Sequence, residues 1–126
     1  LTIVGALIYS AFVQGANYMD ALAYRRFVHG TTVLREEAFN EMLDIYKRAK
    51  ERGYTESCIL YIQKDGLTVK EINEKIRPML RETDYIGLRS DGNIAVLLTN
   101  TNEHESVYVK ERLSKANVRT YLSFNI

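Results

Sequence analysis

The chain has 126 residues, 17 basic and 16 acidic, for a formal net charge of +1. That length supports one domain with a single real core and perhaps one appended element, and the near-balance of charge excludes the electrostatic footprint of a protein that grips duplex nucleic acid. With one cysteine, Cys58, an internal disulfide is excluded; CxxC and HExxH spacings are absent and His29 and His104 stand apart, so a transition-metal site has poor support.

Cys58 lies within the apolar run CILYI, where a buried, inert thiol is expected, and the cysteine usage suggests a reducing, cytoplasmic setting. The chain opens without Met, which suggests a fragment of a longer polypeptide. Its first stretch, LTIVGALIYSAFV, is apolar but short of the about 20 residues a membrane span needs. It reads either as a buried or dimer-forming helix or as the tail of a transmembrane helix. Apolar residues at helical spacing (Leu1, Val4, Ile8, Ala11, Tyr18, Leu22) predict a connecting or stalk helix over 1–28, within a first unit spanning 1–30.

HGTT at 29–32 breaks that pattern, with Thr32 a cap for a second helix over 33–51. Its apolar face would carry Ala38, Met42, Leu43 and Tyr46, and Arg52-Gly53 would end it. SCILYIQ (57–63) predicts a strand, followed by a Lys-Asp-Gly turn. TVKEINEKIRPMLRE (68–82) predicts a third helix on Ile72, Ile76 and Leu80, with Pro78 kinking it or distorting its last turn. Strands follow at 85–89 and 94–99, joined by the hairpin signal SDGN. A helix over 103–116 and a strand over 118–124 complete the order βαββαβ. The expected fold is therefore α+β and ferredoxin-like, an antiparallel sheet with helices on one face, in a domain spanning 31–126.

Arg81 is the one arginine followed by Asp at the third position, Asp84. At i, i+3 on a helix end, the two make either a plain surface ion pair, worth about 0.2–0.5 kcal/mol, or a base-reading pair. In the second case the guanidinium donates to guanine O6 and N7. The carboxylate accepts from the same base's N1–H and N2–H₂. Arg77 and Arg89 read as solvated residues and Asp65 as a turn-former.

The frame RETDYIGLRSDGNIAVLL resembles the GGDEF family of bacterial diguanylate cyclases. In that family an RxxD inhibitory site stands five residues before the signature turn; here Asp84, YIGLR and SDGNI hold that register without a gap. The resemblance implies a cyclic di-GMP site of Arg81, Asp84 and Arg112, the last on the following helix, with all three at or near the surface. It also implies that the ligand binds as a stacked pair of molecules without metal or another cofactor. Catalysis in the family needs acids where this chain has Gly92 and Asn93, and the segment after Gln63 is about one helix too short. The expectation is a domain that is not an enzyme. A degenerate GGDEF domain that keeps RxxD resembles PelD-type cyclic di-GMP receptors. That implies regulation of exopolysaccharide synthesis or export, with the corresponding machinery as protein partners. It also implies a cytoplasmic domain of an inner-membrane-anchored protein, with dimerisation through the N-terminal helix. The alternative is an interaction or dimerisation module that has lost nucleotide binding.

Overall fold

The structure is a computed structural model that describes residues 26–124, so the expected connecting helix lies almost wholly outside the described residues. Five strands form one sheet in the order β1-β3-β4-β2-β5. They are β1 (Val33–Leu34), β2 (Ser57–Ile62), β3 (Tyr85–Leu88), β4 (Ile94–Thr99) and β5 (Thr120–Ser123). Three helices intervene: α1 (Glu36–Glu51), α2 (Val69–Ile76) and α3 (Glu103–Lys115), with a 3-10 turn at Arg77–Met79. The expected βαββαβ order is β2-α2-β3-β4-α3-β5, and its four strands pair antiparallel.

Alternation along β4 sorts the core into two faces. Ile94, Val96 and Leu98 join Cys58, Leu60 and Ile62 of β2 under Ile72 and Ile76 of α2 and Leu113 of α3. The two helices of the βαββαβ unit thus share one face. Ala95 and Leu97 point the other way, where Phe39 and Leu43 of α1 cover them together with Ile59. Of the expected stripe on α1, Leu43 is buried and Ala38, Met42 and Tyr46 pack partly against it. Phe39, outside that stripe, is the residue of α1 with no exposure at all.

Three helix boundaries differ from the sequence reading. The second helix begins at Glu36, not at 33, because Val33 and Leu34 join the sheet edge in parallel with Ile86 and Gly87. Its N-cap is Arg35, with no side-chain cap, so Thr32 does not cap it; the Thr32 hydroxyl instead donates to Asn73 Oδ1 at 2.7 Å. Arg26 is helical, and past it Val28 N–H bonds to Val33 O and Arg35 N–H to Arg26 O, so that Phe27 turns back to bridge Leu34 as a hairpin before the expected end of the first helix at 28. The third helix ends at Ile76 instead of continuing to 82. Pro78 cannot donate to an α-helical ladder, and the chain tightens into the 3-10 turn before extending at Leu80. Arg81 and Asp84 therefore stand in a turn, not on a helix end.

Candidate functional site

The 81–84 turn closes through Asp84 N–H to Arg81 O at 3.0 Å. Arg77, one turn upstream, braces it: its guanidinium donates to Asp84 O at 3.0 Å and to Arg81 O. That residue is a partly buried structural brace, not the solvated side chain the sequence suggested.

Asp84 is 2% exposed, a correction to its expected surface position. The cause is visible in its partners. Oδ1 accepts from Thr99 N–H at 3.2 Å and from Arg81 Nη2 at 3.1 Å. Oδ2 accepts from Arg81 N–H at 3.0 Å and from Arg81 Nε at 3.4 Å. The carboxylate stitches the turn to the end of β4, and its acceptor sites are taken up.

Arg81 remains about half exposed, at 53% of its side chain. Its Nη2 also donates to Thr99 O and to Thr101 Oγ1, and among the described residues Nη1 meets no acceptor. The guanidinium is thereby held in one orientation with one nitrogen directed away from its internal partners. Arg112, exposed on α3, donates from Nη1 to Met79 O at 2.9 Å, tying that helix to the 3-10 turn.

These three residues meet at one place. A cleft of about 280 Å³ is lined by Met79, Arg81, Asp84, Thr101, Glu105, Tyr108, Val109 and Arg112. Glu105, Tyr108, Val109 and Arg112 are spaced i, i+3, i+4 and i+7, one face of α3. The helix is started by a capping box in which Asn102 Oδ1 accepts from Glu105 N–H at 2.8 Å and Glu105 Oε1 accepts from Asn102 N–H at 3.2 Å. The sequence reading missed Glu105 and Tyr108; their i, i+3 relation on the face that ends at Arg112 was the available signal. Two guanidiniums and two carboxylates leave the cleft formally neutral, which suits a hydrogen-bonding ligand edge better than a bare anion.

At the opposite side of the fold, the 63–66 turn and the 89–93 hairpin flank a second, open cleft of about 490 Å³ that includes Tyr61, Tyr121, Lys64, Asp65 and Asp91. Its acids are engaged. Asp65 pairs with Arg119, which holds its carboxyl below the usual range, and Asp91 accepts from Asn93 N–H at 3.0 Å, with the same effect. Gly92, at φ +83°, supplies the left-handed turn residue, and Lys64 Nζ donates to its carbonyl at 3.1 Å. Arg89 sits with its guanidinium carbon 5.5 Å from the Tyr61 ring centroid, so it stacks rather than merely solvating the tip. Among the described residues no group of three or more His, Cys, Asp or Glu side chains is placed to hold a metal ion.

The fold is that of GGDEF domains. The GGDEF domain of FimX from Pseudomonas aeruginosa superposes with a TM-score of 0.61 at 15% identity, covering 71% of this chain and 64% of that one. The coiled coil and GGDEF domain of DgcB from Caulobacter crescentus, solved in complex with c-di-GMP, gives 0.62 at 14% identity over 92% of this chain and 68% of that one. The diguanylate cyclase SiaD from Pseudomonas aeruginosa, solved with its activator SiaC, gives 0.63 at 15% identity over 93% and 56%. In sequence, the chain is 25% identical over 89 residues to 7-cyano-7-deazaguanine synthase 2 of Sulfurisphaera tokodaii, which spans 68% of this chain but only 19% of that enzyme. No protein-family profile matches the chain. Among the described residues no helix is long and apolar enough to cross a membrane.

Proposed function

We propose that this domain is a catalytically inactive cyclic di-GMP receptor that binds its ligand in the cleft of Arg81, Asp84 and Arg112. The observation that carries the reading is the meeting of these three side chains, drawn from two separate segments, around one cleft. Arg81 is held in place with Nη1 open to a base edge, and Arg112, exposed, lines the same cleft for a second guanine or a phosphate. The cleft volume lies just under the roughly 300–1,000 Å³ of small-molecule pockets, enough for one end of the ligand. A second, stacked ligand molecule would extend over the rim.

Inactivity rests on Gly92 and Asn93 in place of acids at the hairpin tip, and on Asp65 being paired with Arg119. In the full reading the domain is PelD-like. It couples ligand level to exopolysaccharide synthesis or export, from the cytoplasmic side of an inner-membrane-anchored protein. Titration calorimetry with cyclic di-GMP tests the receptor role; absence of binding heat overturns it. Incubation with GTP and magnesium or manganese tests inactivity; metal-dependent cyclic di-GMP production, lost in Asp91→Ala, overturns that part.

One observation favours the rival reading of a pure interaction module. Asp84 is buried and its oxygens are already occupied, so RETD has a structural role with or without ligand.

A further inference from the structure

We infer that Glu105, not Asp84, is the carboxylate that reads the guanine edge in this cleft, and that Tyr108 is the surface on which the base stacks. The inference rests on the receptor reading above and specifies its site. A guanine offers two kinds of edge: the acceptors O6 and N7, and the donors N1–H and N2–H₂. Arg81 serves the first. The second needs an acceptor that is both reachable and unoccupied, and Asp84 is neither: it is 2% exposed and both oxygens accept from Arg81, with Oδ1 also bonded to Thr99 N–H. Freeing it would leave the Thr99 amide unpaired in a buried position.

Glu105 lines the same cleft and is exposed. One oxygen, Oε1, serves the capping box at 3.2 Å, which fixes the side chain along the helix start. Among the described residues no donor reaches Oε2. A carboxylate with one oxygen anchored and the other open is oriented before any ligand arrives, so little side-chain freedom is lost on binding. Tyr108, one turn further along α3, is 56% exposed on the cleft wall, and His104 packs edge-on against it with ring centroids 5.4 Å apart at 88°. That contact steadies the ring while leaving surface on which a base can stack.

The test compares cyclic di-GMP with cyclic di-IMP, whose hypoxanthine lacks the N2 amino group, by calorimetry on wild type and variants. Wild type should prefer cyclic di-GMP. Glu105→Gln keeps the capping box, since Gln serves there as well as Glu, so its circular dichroism should match wild type. Its affinity for cyclic di-GMP should fall about 10- to 150-fold, the range for losing hydrogen bonds to a charged acceptor, and its preference over cyclic di-IMP should vanish. Tyr108→Ala should lose about 5- to 150-fold for both ligands, and Tyr108→Phe should bind like wild type. If wild type binds neither ligand, the receptor reading itself falls. If wild type binds without discriminating, or Glu105→Gln binds and discriminates like wild type, the receptor reading stands and the assignment of Glu105 is overturned. Loss of affinity in Glu105→Gln with discrimination intact overturns it equally. Wild-type binding by Tyr108→Ala overturns the stacking role.

Discussion

Asp84, half of the RxxD pattern, holds the local structure together before any ligand is considered. Its carboxylate takes bonds from Thr99 N–H, Arg81 N–H and the Arg81 guanidinium at 2% exposure. Asp84→Ala should therefore destabilise the domain by about 1–3 kcal/mol, because a buried amide and part of a guanidinium lose their acceptor. Arg112→Ala, losing one exposed bond to Met79 O, should stay within about 0.5 kcal/mol. Urea unfolding of both variants checks this, and equal stabilities would refute the structural role of Asp84. Cys58 gives a second residue-scale prediction. Burial pushes its thiol up from 9.0 to about 11, and the side chain has no exposure. It should resist a thiol reagent at about pH 8 in the folded protein and react fully in denaturant. The unfolded thiol loses its proton first, so this group's contribution to stability should fall as pH rises from about 9 to about 11. Rapid labelling of the native protein would contradict the burial.

At the scale of elements, the contact between α1 and β3 is decided by one glycine. A Cβ on Gly87 would lie 2.0 Å from Phe39 Cγ and 2.6 Å from Phe39 Cβ, so the helix can sit on the strand only where the strand has no side chain. Gly87→Ala should cost about 3 kcal/mol, the upper end for overpacking, since the ring and its Cβ would both have to move. Chemical denaturation measures it, and a change near zero would show that α1 is not seated as described. The same strand pairs with β1 through Gly87↔Leu34. A two-residue edge strand such as Val33–Leu34 leaves almost no periodic signal in sequence, and its apolar pair is continuous in pattern with the helix that follows. Pro78 was legible as a kink or a distorted last turn, which the 3-10 turn at Arg77–Met79 is; what the sequence did not show is that the α-helix stops two residues before it and that Arg77 turns inward to hold the 81–84 turn.

For the molecule as a whole, cyclic di-GMP binding only the folded state should add about 2.7 kcal/mol at 100 times its dissociation constant, raising the melting temperature. GTP and cyclic di-AMP should shift it much less, adenine lacking O6 and N1–H; equal shifts with all three would point to phosphate binding without base reading. The βαββαβ order and the spacing of Arg81 and Asp84 were local properties: periodicity, turn chemistry and separation along the chain. These the sequence determined by itself, because each depends on neighbours a few residues apart. Only the tertiary structure decided the rest. It placed α1 on the opposite face of the sheet from α2 and α3, and it added β1 as a parallel edge. It brought Arg112, Glu105 and Tyr108 against the 81–84 turn. It also buried Asp84, because the Thr99 amide at the end of β4 donates to that carboxylate where it arrives. Exposure and hydrogen-bond saturation are set by residues distant in sequence, and no spacing rule carries them.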